Sequence, residues 1–226
     1  ASEVQKKDFL LLNKNAHVIL DVHNDLTQNI KKDYTAKKPF NLVWEGLPVT
    51  LHHFFEIRDV LKSINSQQEI CLHIVTNLEY YQYLRKYGKR NTIDICRKIF
   101  DRVYLYDWNV QLASMIICAC DMAIIPISPN DSFAMGKPAN KLLLFWKMGM
   151  PTITTSTPAY AYAMDQANLD MTCRTKSEWR EKLLKYMNDE TARREAGEKG
   201  KAYTDRFYSD EIVVAQWDNL IQSVLE

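Results

Sequence analysis

The chain has 226 residues, of which 46% are hydrophobic and 25% charged, and its 29 basic and 28 acidic side chains leave a formal net charge of +1. That length and apolar content are enough for a substantial core and exclude a disordered chain. The near-neutral balance excludes a global field suited to nucleic acid or an anionic membrane, so any anion site must be local.

No apolar run approaches the roughly 20 residues of a membrane span, and no signal peptide opens the chain. The expected location is cytoplasmic, with peripheral attachment at the inner face of the membrane as an option. The cysteines Cys71, Cys96, Cys118, Cys120 and Cys173 are odd in number and lie mostly in apolar segments. They read as reduced core thiols, not as a disulfide framework. Cys118-Ala-Cys120 has no second Cys or His pair at usable spacing, so no metal and no cofactor are expected.

In chain order, Ser2 to Leu12 has a helical pattern and leads to a short strand candidate at His17 to Leu20. Asp21 to Pro39 is polar, lysine-rich and without steady period, a linker or loop with one weak helix. Residues 1–40 are therefore expected to be a helix, a short strand and a linker from a preceding domain, and residues 41–226 the main domain. Asn41 to Glu45 is a strand ending in Gly46, and Val49 to Ile64 an amphipathic helix with Phe54, Ile57, Val60 and Leu61 on one side. Glu69 to Thr76 is a strand, Leu78 to Tyr87 a tyrosine-rich helix, Ile93 to Phe100 another helix, Arg102 to Tyr106 a strand and Trp108 to Cys120 a helix. Met122 to Ile127 is short and apolar, as a strand buried on both faces should be. Short elements follow Pro158, including a strand candidate at Met171 to Cys173. Helices then run over about Ser177 to Asn188, Glu190 to Phe207 and Asp210 to Leu225. Alternating strands and helices imply right-handed crossovers, and the expected fold is an α/β doubly wound parallel sheet with helices on both faces and a helical C-terminal tail.

The segment with most chemistry is Asp121 to Tyr160, which reads as strand, loop, helix and strand. Ser128 to Lys137 has the composition of a loop, Pro138 suits a first helical turn, the helix is Ala139 to Met148, and Gly149 provides its exit before the strand from Pro151 to Thr155. A helix N-terminus presents unpaired N–H groups and the positive pole of the helix dipole. Lys137 and Lys141 beside it are unfavourably placed unless an anion, most simply a phosphate, is bound. Gly136 permits close backbone approach, Ser132 offers a hydroxyl, and Tyr106 or Trp108 could pack on a base. In such sheets ligands bind beyond the carboxyl ends of the strands, which singles out Glu45-Gly46, Tyr106 to Asn109 and Ser128 to Lys137.

Other polar groups have plainer readings. His52 and His53 are adjacent in a helix and should point in different directions, which disfavours a shared ligand site. His23 with Asp21 and Asp25 reads as a turn or cap, Tyr80, Tyr81 and Tyr83 as helix packing, and the basic run from Arg85 to Arg97 as a solvated face or an interface to a missing half.

The order of three motifs then resembles a known family. Trp44-Glu-Gly46 ends a strand, Asp121-x-x-Ile-x-Pro126 forms another, and Asn140-Lys-Leu-Leu143 opens a helix closing on Gly149-Met-Pro151. Together with Tyr208-Ser-Asp-Glu211 and Trp217 in the tail, these resemble the carboxyl-terminal, nucleotide-sugar donor-binding half of a B-fold glycosyltransferase, nearest to the large retaining family 4. The resemblance covers about Asn41 to the end, and the opening helix resembles the last helix of the family's amino-terminal domain. It implies that the acceptor-binding half is missing, so that this chain alone could bind donor without turnover. It further implies a nucleotide-sugar donor, a saccharide or lipid-linked acceptor, and a role in bacterial surface polysaccharide synthesis. The diphosphate would lie at Gly46, Ser132, Gly136, Lys137, Asn140 and Lys141, and the nucleoside near Tyr106, Asp107, Trp108 and Asn109.

The match has gaps. The family's two glutamates fall on Gly136 and Leu144, and its Arg and Lys after the first strand fall on Leu47 and on Leu51 or His52. Either Lys137, Lys141 or Arg58 replaces the missing charge in a divergent branch, or the chain keeps the fold as a non-catalytic nucleotide- or protein-binding module. The two lysines beside a phosphate-ready helix end favour the first, and no catalytic residue is assigned.

Overall fold

A computed structural model describes residues 2–21, 26–82 and 87–225. Helix α1 (Glu3–Leu10) opens with a capping box in which the Ser2 hydroxyl accepts from the Gln5 N–H and the Gln5 side chain accepts from the Ser2 N–H. The strand expected at His17 to Leu20 does not form. Residues 26–39 are instead an irregular segment bound to the domain. The Lys31 ammonium donates to the Cys118 and Cys120 carbonyls at 3.3 and 2.7 Å, and the Tyr34 hydroxyl donates to the Gly149 carbonyl at 2.8 Å. Arg193, 2% exposed, donates to the carbonyls of Tyr34, Tyr186 and Met187, so a buried guanidinium ties this segment to the C-terminal helices.

From Phe40 strands and helices alternate: β1 (Phe40–Glu45), a 3₁₀ helix (Pro48–Glu56), α2 (Arg58–Asn65), β2 (Ile70–Thr76), β3 (Glu79–Gln82), β4 (Tyr87–Asn91), α3 (Thr92–Ile99), β5 (Val103–Asp107), α4 (Val110–Ala119) and β6 (Met122–Ile125). They continue as α5 (Ser132–Met135), α6 (Asn140–Lys147), β7 (Thr152–Thr155), α7 (Pro158–Gln166), β8 (Thr172–Cys173), α8 (Lys176–Asn188), α9 (Glu190–Phe207) and α10 (Asp210–Leu225). The main sheet is parallel and six-stranded in the order β5-β2-β1-β6-β7-β8. The strands of the first half run outward from β1 on one side and those of the second half on the other, which makes the β1/β6 boundary the switch point of a doubly wound sheet. Every residue of β6 and β7 is buried, as strands covered on both faces require.

Three local expectations fail for identifiable reasons. In the tyrosine-rich stretch at 78–87 the described residues, 78–82 and 87, are not helical. Glu79 and Tyr80 pair antiparallel with Asn91 and Arg90, forming a β3–β4 hairpin, consistent with the strand preference of tyrosine. The tyrosines at Tyr80 and Tyr81 therefore lie on a strand, while Tyr83, His23 and Asp25 lie outside the described residues. The amphipathic run after Gly46 is split into the 3₁₀ helix and α2, and the loop at 128–137 contains the single-turn helix α5. At the other end α9 packs on α6 through Gly200, where a Cβ would come within 2.6 Å of the Trp146 ring.

Candidate functional site

Strand β1 delivers Trp44, Glu45 and Gly46 to the carboxyl edge of the sheet, and β6 delivers Pro126 and Ile127 beside them. Between these ends opens a crevice of about 240 Å³, lined by Trp44, Thr50, His53, Lys137, Asn140 and Lys141 among others. Its floor includes Tyr160 at the start of α7, a helix capped by the Thr157 hydroxyl, which accepts from the Tyr160 N–H at 3.2 Å. The crevice thus lies at the switch point and at the start of α6, where the sequence places the anion.

Lys141 is the most informative group. It sits in the first turn of α6, half-buried, with Nζ 4.3 Å from the centre of the Trp44 ring. No hydrogen bond or ion pair reaches its ammonium among the described residues. Burial lowers its pKa from 10.5 to about 8, with Glu45 acting the other way and Lys137 adding to the fall. A cation is thus held over an aromatic face without a carboxylate in ion-pair contact, at the positive end of a helix whose cap residue, Ala139, supplies no side-chain hydrogen bond. The Asn140 Oδ1 beside it is buried and without a donor, whereas its amide reaches Asp21 only at 3.5 Å. Gly46 makes room for this arrangement. Its φ is +154°, and a Cβ there would collide with the Lys141 Nζ and lie 2.9 Å from Trp44.

His53 is the residue that sequence reasoning missed. It is 2% exposed, and its Nδ1 accepts the Ser128 N–H at 3.1 Å. That bond assigns the proton to Nε2. Burial, with a smaller contribution from His52, lowers the pKa to about 4, so the ring that lines the crevice is neutral. Contrary to the expectation of diverging side chains, the His52 and His53 rings lie 4.1 Å apart, and both Nε2 atoms are 3.9 Å from Asp131. What unites them is an acidic residue from a distant loop, invisible in local spacing. His52, His53 and Asp131 offer ligand atoms close together, but His53 uses Nδ1 for Ser128 and carries its proton on Nε2, so that ring presents no free lone pair in this arrangement. Ser128 is held further by its hydroxyl, which donates to Glu56 at 2.7 Å.

The other candidates divide. Lys137 is exposed at the crevice edge with Nζ 4.9 Å from the Phe133 ring centre. Ser132 lies on the exposed side of α5 and does not line the crevice. The Gly136 backbone is αR, a Cβ there would meet nothing closer than 3.6 Å, and its carbonyl accepts from the Ser2 hydroxyl at 2.5 Å. Tyr106 is committed to the sheet face, with its hydroxyl 3.0 Å from His73 Nδ1. Asn109 caps α4, its Oδ1 accepting from the Gln111 and Leu112 N–H groups. Asp107 and Trp108 stay exposed at the end of β5, two strands from the switch point. Arg58, offered as a substitute charge, lies beside Asp59 and Phe55 and not in the crevice.

No protein-family model matches the sequence, and no curated protein matches it by sequence. Solved structures do match. TarM superposes with a TM-score of 0.64 at 15% identity, covering 97% of this chain and 42% of that one. A glycosyltransferase from Rickettsia africae superposes with a TM-score of 0.65 at 8% identity over 84% of this chain. The C-terminal domain of LpcC, a group 1 glycosyltransferase from Francisella tularensis, gives 0.56 at 9% identity and is covered over its whole length. The fold is that of one half of a GT-B glycosyltransferase.

This chain spans 42% of TarM and 49% of the Rickettsia protein, and its likeness to an isolated C-terminal domain identifies which GT-B half it matches. The positions at which the resembled family carries charge are filled differently here. Leu144, in place of a glutamate, is 4% exposed and part of the core, and Leu47, in place of an arginine, is exposed. No Asp or Glu lines the crevice among the described residues.

Proposed function

We propose that the chain is the donor-binding half of a glycosyltransferase and that its β1/β6 crevice holds the diphosphate of a nucleotide sugar. The observation that carries this reading is Lys141, an unpartnered, half-buried ammonium at a helix start, which a diphosphate would complete. Lys137 at the edge adds a second charge, the His53 Nε2–H a neutral donor, and the free Asn140 Oδ1 an acceptor for a ligand hydroxyl. The base would extend toward Asp107 and Trp108, a distance of about 10 Å at the usual strand spacing and within the reach of a nucleoside diphosphate. Together these groups would stabilise the charge that develops on the departing diphosphate.

A structure of a TarM mutant was obtained with UDP and the Anabaena HepE structure with UDP and glucose, and those ligands support a nucleotide sugar as donor here. The acceptor in this reading is a saccharide or lipid-linked sugar, the process is surface polysaccharide assembly, and the location is the cytoplasm or the inner face of the membrane. No described helix is long and apolar enough to cross a membrane. A non-catalytic nucleotide-binding module is the second reading, favoured by Leu144 and by the carboxylate-free crevice. Thermal-shift titration with UDP, GDP, dTDP and ADP, repeated on Lys137→Ala, tests the shared claim. A response to one nucleotide, weakened by the substitution, supports it, and silence across the panel refutes it. Hydrolysis or transfer of the matching nucleotide sugar separates the two readings.

A further inference from the structure

The 3₁₀ helix has two sides. His53 and Thr50 line the crevice, while Phe55 lines a second, larger cleft of about 480 Å³ on the other side. That volume falls within the roughly 300–1,000 Å³ of ligand clefts. Its opposite wall is the β3–β4 hairpin, inserted where β2 leaves the carboxyl edge of the sheet, and its base is α3; both pack on the 3₁₀ helix. The cleft therefore opens beside the proposed donor site, with one helix between them.

Its chemistry is distinctive. Lys89 and Arg90 come from β4 and Lys98 from α3, while Tyr80 and Phe55 supply aromatic surface and Asn91 an amide. Tyr80 lies directly opposite Arg90 in the hairpin, which places a ring and a guanidinium side by side. Glu79 neutralises Lys89, and Asp94 also lines the cleft. Arg90 and Lys98, however, have no ion-pair or hydrogen-bond partner among the described residues. A chain with a net charge of +1 has thus gathered unpaired cations next to aromatic rings in one concavity. Rings pack on sugar faces through their C–H groups, an amide binds hydroxyls, and free cations bind sulfate, phosphate or carboxylate.

We propose that this cleft binds an anionic saccharide, which would be the acceptor if the donor reading above is correct. Fluorescence anisotropy with labelled sulfated cellotetraose tests it, with unsulfated cellotetraose and inorganic polyphosphate as matched probes. The sulfated sugar should bind at least tenfold more tightly than the unsulfated one. Arg90→Ala with Lys98→Ala should remove at least tenfold of that affinity, and Arg90→Lys with Lys98→Arg should retain most of it. Tyr80→Leu should weaken the sulfated sugar severalfold and leave polyphosphate unchanged. Absence of binding, binding indifferent to the Arg90/Lys98 pair, or equal binding of polyphosphate, duplex RNA or phosphatidylglycerol vesicles would overturn the proposal. UDP titration of the same variants keeps the two readings apart. Sugar binding without UDP binding leaves the cleft and removes the donor site, and UDP binding without sugar binding does the reverse.

Discussion

Replacing Lys141 by methionine should make the protein more stable and a worse nucleotide binder at once. The fall of its pKa from 10.5 to about 8 corresponds to roughly 3 kcal/mol against the charged form. A half-buried ammonium keeps part of its hydration, so about 1–2 kcal/mol is the stability expected back when the charge is removed. Because the folded pKa lies below the unfolded one, the full penalty is present at pH 7 and is relieved as pH rises from about 8 toward 10.5. Methionine keeps the apolar stem on Trp44 and deletes only the charge. At pH 7 the Tm should rise by about 2–6 °C, and the gain should shrink above about pH 8. Loss of a charge-assisted bond to phosphate costs about 1.5–3 kcal/mol, a tenfold or greater fall in UDP affinity by calorimetry. Wild-type protein should also take up about half a proton or more on binding UDP near pH 8.5, measured in buffers of different ionisation enthalpy, and the variant should not. A lower Tm at pH 7, or UDP affinity unchanged by the substitution, would refute the reasoning.

Three further outcomes follow from the same geometry. Gly46→Ala should cost about 1–3 kcal/mol from its φ of +154° and should also abolish UDP binding, because the new methyl takes the space of the Lys141 ammonium; denaturant titration and calorimetry measure both. His53 has a folded pKa of about 4, below its unfolded value, so its contribution to stability is present above about pH 6.5 and lost as pH falls toward 4; the drop in Tm over that window should be smaller in His53→Gln. Arg193→Met should destabilise by about 3 kcal/mol or more by orphaning the carbonyls of Tyr34, Tyr186 and Met187, and limited proteolysis should then cut within residues 26–39.

What local patterning decided is the sheet itself. The apolar runs at Phe40–Glu45, Ile70–Thr76 and Met122–Ile125 suit strands covered on both faces, and the helices between them supply the crossovers that make the sheet parallel. The same patterning placed a helix start with two lysines, Lys137 and Lys141, beside the switch-point crevice, since the loop, Pro138 and the apolar run after it are readable in sequence. It failed at residues 78–91, where tyrosines suit helix or strand and only pairing with Arg90 and Asn91 decides for the hairpin. It also failed for His52 and His53. Their common neighbour Asp131 and the Ser128 amide that fixes the His53 proton arrive from across the switch point. The sequence alone thus determined that an anion-ready helix end sits at the edge of a doubly wound sheet, because periodicity and capping are local. Only the tertiary structure decided that Lys141 lies on Trp44 without an ion-pair partner among the described residues, and that His53 stays neutral. Burial and pairing depend on which distant segments the strand order brings together.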